Sequence, residues 1–205
     1  YEWYQLGIDM ALGSGIDYTL STREKMFAPE ALESMMRGAS IHNSSGYRIS
    51  LVTKENILHE GAPAQLEPTP TLLSPNFIFS LIFTIILMLS VKDFKKKQIT
   101  KWVDSVIYGL YGLISLILCF LIFISVNEAT SPNYLILLLN PLCFIPAICI
   151  WIKKCDKLTF YFHIANIVAL ILLLIILLCG VQVGNIAVAP LILISLARSA
   201  TNIYI

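Results

Sequence analysis

The stretch that decides the fold is residues 73–91, LSPNFIFSLIFTIILMLSV, which contains no charged residue. The hydrocarbon core of a bilayer is about 30 Å thick, so a helix that crosses it needs roughly 20 apolar residues. Three later runs meet that length, and a fourth meets it only if the membrane accepts Arg198. These runs are Ser105–Val126, Tyr134–Ile152, Leu158–Cys179 and Ile186–Ile205. The sequence therefore predicts a mainly α, polytopic membrane protein with five transmembrane helices.

Composition and charge support a membrane protein and argue against a nucleic-acid-binding protein. The chain is 57% hydrophobic and only 13% charged, whereas an ordinary globular domain has about 25% charged residues. Residues 1–72 carry a net charge of −4 and residues 73–205 a net charge of +5. Because the polar part is acidic and the lysines lie at span boundaries, we expect a phospholipid bilayer as partner and no nucleic acid.

The lysines predict the topology. Five lysines lie between the first two runs, in Lys92–Lys101, and three lie between the third and fourth, in Lys153–Lys157. The connections 127–133 and 180–185 contain no lysine or arginine. Positive residues of short loops stay in the cytoplasm, so the sequence predicts a periplasmic N-terminal segment and a cytoplasmic C-terminus. Arg198 then lies near the cytoplasmic surface, where we expect its side chain to snorkel to water.

The first 72 residues predict a small α+β segment. Ser21 followed by Glu24 is a helix-start signal, and Pro29–Arg37 combines an N-terminal proline with an apolar stripe, which favours a helix. The turn residues Asn43–Gly46 precede an alternating run that begins at Tyr47, as in a β-hairpin. We expect residues 1–62 to be the C-terminal piece of a larger periplasmic domain, 63–72 a proline-rich linker and 73–205 the membrane domain.

Few residues suggest chemistry. The five cysteines all follow residue 118 and lack CxxC spacing, so we interpret them as packing residues and expect no disulfide framework, metal or cofactor. His163 and Asn166 are three residues apart in the fourth run and share a helix face. A structural hydrogen-bonding role for His163 competes with a functional one, since ionisable residues inside a membrane often mark sites.

Four polar residues are candidates for contact with lipid headgroups. Glu128 and Asn133 lie in the charge-poor loop after the second run, and Asn140 precedes a proline that interrupts the third. The alternative for this set is a proline kink with helix packing. Arg23 is a candidate anion ligand because its guanidinium suits bidentate contacts; the alternative is an ion pair with Glu24 or Glu30.

Four motifs resemble one family. They are GIDMALGS at 7–14, TREKMFAPE at 22–30, ATSPNYL at 129–135 and LNPL at 139–142. Together they resemble the C-terminal part of Lnb-like membrane proteins, the lipoprotein N-acyltransferases of Gram-negative bacteria. Where that family often has a histidine, after the second span, this chain has Asn127 and Glu128, and Leu139 replaces a tryptophan before the Asn-Pro pair.

The resemblance implies a location, partners and a reaction. It implies a multi-pass protein of the bacterial inner membrane that moves an acyl chain from a phospholipid donor to the N-terminal cysteine of a lipoprotein. A cysteine nucleophile with a histidine would form a thioester intermediate. We expect that pair in an N-terminal periplasmic domain upstream of Tyr1, so no catalytic residue is assigned within this chain.

Two other functions compete with the acyltransferase. The chain could be a non-enzymatic membrane anchor or assembly module that holds a periplasmic domain or other membrane subunits. It could also be a small transporter. Two features argue against that function: the spans lack charged pairs, and the sequence shows no inverted repeat.

Overall fold

The computed structural model describes residues 1–56 and 69–205, which are mainly helical. The helices are α1 (Glu2–Ala11), α2 (Thr22–Lys25), α3 (Pro29–Gly38), α4 (Pro75–Lys96), α5 (Lys101–Phe123), α6 (Phe144–Cys149), α7 (Asp156–Leu178) and α8 (Val188–Tyr204). The strands are β1 (Ser40–His42) and β2 (Arg48–Ser50). Short 3-10 turns occur at Ser14–Ile16, Thr71–Leu73, Glu128–Thr130, Tyr134–Leu137, Pro141–Cys143 and Lys153–Cys155.

The described residues form two compact units. The first contains residues 1–17 together with the chain from 69 onward, and the second contains residues 18–56. Most of the predicted 63–72 linker, together with His59, lies outside the described residues. The domain limits predicted from composition remain a prediction.

The first unit is a helical bundle that consists of α1 and α4–α8. Among the described residues, three helices are long and apolar enough to cross a membrane, namely α4, α5 and α7. The helix α8 packs against both α4 and α7, and α6 packs against α5 and α7. Buried aliphatic and aromatic side chains of α5, α7, α8 and the segment after Asn133 form its core.

Two of the five predicted spans are shorter than the sequence indicates. The fifth run forms α8, which has 17 residues. In the third run, a 3-10 turn from Tyr134 to Leu137 is separated from the six-residue α6 by Asn140, whose backbone is extended at φ −126° and ψ 153°. Pro141 lacks an N–H and disfavours helical geometry in the residue before it, so a continuous helix over Tyr134–Ile152 does not form.

The helix α5 reverses the polarity of a soluble helix. Its buried face carries Asp104, Tyr108 and Ser115, while Leu113 and Ile117 are more than half exposed. A helix of a soluble protein buries its apolar stripe instead. Apolar side chains outward and polar ones inward are the arrangement expected where the surroundings are lipid.

The second unit confirms the local predictions for the front segment. The Ser21 side chain accepts from the Glu24 backbone N–H, and the Glu24 carboxylate accepts from the Ser21 backbone N–H, which makes a capping box before α2. The predicted helix at Pro29 is α3. The predicted hairpin pairs β1 with β2 in antiparallel register, Ile41 opposite Ile49, and Gly46 takes a φ of +79° in its turn.

The capping box makes a prediction about pH. Hydrogen bonds from the Ser21 hydroxyl, and then from its backbone N–H, lower the pKa of Glu24 below its ordinary value. Since the pKa is depressed on folding, the cap stabilises α2 above the unfolded pKa and is lost as the pH falls through the folded one. NMR titration of ¹³C-glutamate-labelled protein in micelles should show this depressed pKa, and Ser21→Ala should raise it. An unchanged Glu24 titration in Ser21→Ala would contradict the assignment.

Candidate functional site

Asn133 ties the N-terminal helix to the bundle. Its amide nitrogen donates to the carbonyl oxygens of Met10, at 2.9 Å, and Leu12, at 3.0 Å. Its amide oxygen accepts from the backbone N–H of Leu135 at 3.0 Å and from the Gln182 side chain at 3.1 Å. The side chain is buried and uses both its donors and its acceptor, so it holds the residues after α1 in place.

The connection 180–185 completes this contact. The Gln182 amide oxygen accepts from the backbone N–H of Tyr134 at 2.7 Å. The Asn185 side chain donates to Asp9 at 2.7 Å, and the backbone N–H of Val183 donates to Asp17 at 2.8 Å. We call this region, residues 9–17 with 127–133 and 182–185, the docking end of the bundle.

Gly13 is required at the docking end by close backbone approach. Its N–H donates to the Ala129 carbonyl at 2.9 Å. A Cβ at this position would overlap the Pro132 carbonyl oxygen and lie 3.0 Å from the Thr130 carbonyl carbon. These are backbone atoms, which cannot rotate away, so any larger residue displaces the segment.

The opposite end of the bundle contains a buried cluster of charges. The Arg198 guanidinium on α8 donates to both carboxylate oxygens of Asp104 on α5, at 2.5 and 2.9 Å. It also donates to Asp93 on α4 at 2.9 Å. Arg198 and Asp104 are fully buried and Asp93 nearly so. This bidentate arrangement joins three helices through charge-assisted hydrogen bonds.

Neutral groups satisfy the rest of this charge cluster. Asp93 accepts from the backbone N–H and hydroxyl of Thr100, at 2.9 and 2.6 Å, and Asp104 accepts from the Asn202 amide at 2.9 Å. Two carboxylates and one guanidinium leave a formal charge of −1. Each charge is hydrogen-bonded, which is the condition for keeping ions away from water.

A neutral polar network adjoins α8 nearby. The Ser199 hydroxyl lies 3.1 Å from His163 Nδ1, 2.9 Å from the Asn166 amide nitrogen and 2.9 Å from the Tyr108 hydroxyl. Asn166 also donates to the Ser195 hydroxyl at 2.9 Å. The predicted common face of His163 and Asn166 is confirmed, and both contact α8. Within the described chain, His163 Nε2 and Asn166 Oδ1 have no hydrogen-bond partner.

An apolar groove of about 210 Å³ runs between α1 and α5. Its floor includes Gly7, at which an added Cβ would meet nothing within 4 Å. The groove adjoins the docking end because Met10 lines it and also binds Asn133 through its carbonyl. Its lining residues are Gly7, Met10, Ala11, Ile114, Ile117, Leu118, Leu121 and Leu139. With almost no polar surface, it suits an alkyl chain.

The comparison with protein families decides the membership of the chain. Residues 67–205, about two thirds of the chain, match the family described as the Lnb transmembrane domain. The chain belongs to the Lnb family. The resemblance noted in the sequence is thereby confirmed, and this Lnb chain is a multi-pass membrane protein. Comparisons with curated proteins and with solved structures gave no significant match.

The four predicted headgroup residues of this Lnb chain differ in their exposure and in their contacts. Arg23 lies in α2, in the second unit, is exposed, and forms no ion pair within the described residues. Glu128 is exposed in the docking end, and Asn133 is committed to protein groups. Asn140 is half-buried, and its Oδ1 has no partner among the described residues. A headgroup role for these four remains a prediction.

Two interpretations of the Lnb spans are wrong. Arg198 does not snorkel to water, because Asp93 and Asp104 neutralise it inside the bundle. The spans therefore do contain charged pairs, and their supposed lack no longer counts against a transporter. A signal was present in the sequence: Asp93 and Asp104 border the first two apolar runs, and an arginine inside another run is expected to find an acidic partner.

Sequence reasoning also missed Gln182, Asn185 and Gly13. The connection 180–185 carries no charge, so the charge pattern does not indicate that its two amides, Gln182 and Asn185, are important. Amide side chains in a short loop between apolar runs are a usable sign of tertiary hydrogen bonds, since in lipid each polar group needs a partner. Nothing in the sequence pattern indicates that they would meet residues more than 160 positions away.

Proposed function

We propose that the chain is the membrane half of a periplasm-facing acyltransferase that acts on the N-terminus of lipoproteins in the bacterial inner membrane. The match of residues 67–205 to the Lnb transmembrane domain carries this proposal. In it, the catalytic thiol belongs to a periplasmic domain outside these 205 residues.

The polarity of the bundle supports a periplasmic docking end. The lysines at the end of α4 and the start of α5 lie at the same end of the bundle as Lys153–Lys157, since Lys101 and Lys157 line one cavity and Lys101 Nζ lies 6.0 Å from the centroid of the Trp151 ring. Under the positive-inside rule this end is cytoplasmic. The docking end, where the chain has no lysine or arginine, is then periplasmic, and α1 lies beside it.

The apolar groove supports an acyl donor. It places an alkyl-sized channel next to the docking end, between α1 and the lipid-facing helix α5. In the proposed reaction, a thiolate attacks the donor ester, the lysophospholipid leaves as its alcohol, and a thioester forms. The α-amine of the lipoprotein cysteine then attacks the thioester, and the thiol is restored. The role of this chain is to hold the donor chain and position the periplasmic domain.

One observation favours the alternative, a non-enzymatic anchor or assembly module. No hydrogen bond joins a cysteine to a histidine in the described part of the chain, and the buried Cys143 thiol donates its hydrogen bond to the Leu138 carbonyl, at 3.8 Å. An anchor would need only the docking end, which fastens α1 to the bundle.

The deciding experiment uses the protein as purified from native membranes. Intact mass and N-terminal sequencing identify its full extent, and incubation with a diacylated lipoprotein and phospholipid tests transfer. We expect the lipoprotein mass to rise by one acyl chain while lysophospholipid accumulates. If a chain that carries an upstream cysteine and histidine transfers nothing, the acyltransferase is rejected and the anchor takes its place.

Gly7→Leu should impair acyl transfer without unfolding the protein. The leucine would fill the groove, and atoms inserted where a chain must lie cost about 1–3 kcal/mol, which corresponds to a loss of about 5- to 150-fold in the specificity constant for the phospholipid. Gly7→Ala is the matched control, since it leaves most of the groove open and favours the helix. Normal transfer by Gly7→Leu would show that the groove does not hold the donor.

A further inference from the structure

The lysine-rich end of the bundle contains a second, larger cavity of about 570 Å³. It lies among the start of α5, the start of α7 and the ends of α6 and α8. Apolar walls are formed by Ile150 and Phe160, among others, and Lys101 and Lys157 contribute the cations. The cavity is remote from the docking end and belongs to no step of the proposed acyl transfer.

The charges that line this cavity favour an anion. Lys101 and Lys157 outnumber the one acid in the lining, Asp156. Neither lysine makes an ion pair with any described residue. Lys101 Nζ lies 6.0 Å from the centroid of the Trp151 ring, which leaves its hydrogen-bond donors available.

A buried imidazole with an unpaired nitrogen lies in the same wall. His163 lines the cavity, is fully buried, and has no described partner for Nε2. The Tyr108 hydroxyl lies within hydrogen-bond distance of both the Ser199 hydroxyl and the Ser195 carbonyl oxygen, so the hydrogen bond between Ser199 and His163 Nδ1 can run in either direction. When Ser199 donates to Nδ1, the ring proton lies on Nε2. A buried polar nitrogen without a partner is costly, so the His163 ring favours a polar occupant of the cavity that it lines.

We propose that this cavity binds the phosphate headgroup of an anionic phospholipid. Lys101 and Lys157 contact the phosphate, His163 Nε2 adds an unpaired polar atom to the same wall, and the apolar walls hold the upper part of an acyl chain. Basic pockets between transmembrane helices suit anionic headgroups in this way. A soluble phosphate would use the same cations but would leave the apolar walls without a partner. Asn202 lines the cavity and also donates to Asp104, so an occupant touches a residue of the charge cluster.

Native mass spectrometry of the purified protein in detergent tests this site. Phosphatidylglycerol, phosphatidylcholine with the same acyl chains, and inorganic phosphate are added separately, and bound adducts are titrated. We expect phosphatidylglycerol to bind most tightly. The variant Lys101→Gln/Lys157→Gln should weaken it by about 25-fold, because each lysine near an anionic headgroup contributes about fivefold.

The matched control is Lys153→Gln/Lys154→Gln, which removes the same charge from the same end but not from the cavity lining. We expect less than a threefold change. Equal losses in both variants would show a general surface attraction and overturn the site. Equal binding of phosphatidylcholine, or lysine-dependent binding of inorganic phosphate alone, would overturn the anionic lipid. Since acyl transfer is not measured, the result is independent of the proposed enzyme.

Discussion

Replacing Arg198 with methionine is expected to lower the free energy of unfolding by about 3–5 kcal/mol. The change leaves Asp93 and Asp104 buried and without a cation, although both keep their neutral hydrogen-bond partners. Removal of one member of a buried ion pair is far more costly than replacement of the whole pair by neutral groups. Unfolding of the detergent-solubilised protein by SDS, followed by circular dichroism, measures the effect.

Two variants make this result specific. Arg37→Met is the matched substitution at an exposed arginine that pairs with Glu33 in α3, and such surface pairs contribute about 1 kcal/mol or less. Adding Asp93→Asn and Asp104→Asn to Arg198→Met removes the unpaired charges and should restore most of the stability. If Arg198→Met unfolds no more readily than Arg37→Met, the charge cluster does not stabilise the bundle.

Asn133→Asp is expected to release residues 1–17 from the bundle. The substitution keeps the shape of the side chain but removes the two hydrogen bonds donated to Met10 and Leu12, and sets a carboxylate against their carbonyl oxygens. The Leu12 carbonyl keeps a second donor, the Gln182 amide at 3.4 Å, whereas leaving the partly buried Met10 carbonyl unpaired costs about 1–3 kcal/mol. Limited proteolysis with mass spectrometry should show cleavage near α1 at least about tenfold faster than in the unmodified protein.

The control for this release is Asn127→Asp in the same loop. The Asn127 side chain only accepts, from the Ala129 N–H at 3.1 Å, and a carboxylate accepts equally well. Gly13→Ala, which would collide with the Pro132 carbonyl, should release the segment as Asn133→Asp does. If Asn133→Asp and Gly13→Ala both resist proteolysis as well as the unmodified protein does, the docking end does not fasten α1.

The sequence predicted the elements that depend on composition and local pattern. Uncharged runs of sufficient length became α4, α5 and α7, and local turn and capping residues became the capping box at Ser21 and the hairpin. Each of these features is determined by residues that lie close to it in the sequence. The same reasoning overestimated the third span, because average hydropathy does not register that Asn140–Pro141 interrupts helical hydrogen bonding.

The candidate site was largely missed because it depends on distant contacts. The sequence marks Asn133 as a polar loop residue, yet the two carbonyl groups to which it donates, Met10 and Leu12, lie more than 120 residues earlier. Arg198 was assigned to the water interface from its position alone, whereas partners 94 and 105 residues away hold it inside. Position along a span predicts depth in the membrane, and only packing tells whether a counter-charge is present at that depth.

The charge cluster also constrains the order in which the bundle can be completed. Asp93 and Asp104 belong to α4 and α5, which leave the ribosome before α8, the helix that carries their cation. Until α8 arrives, two acidic side chains lie in nascent membrane helices without a counter-ion, a costly state in lipid. The helices α4 and α5 therefore form an incomplete intermediate until Arg198 has been added.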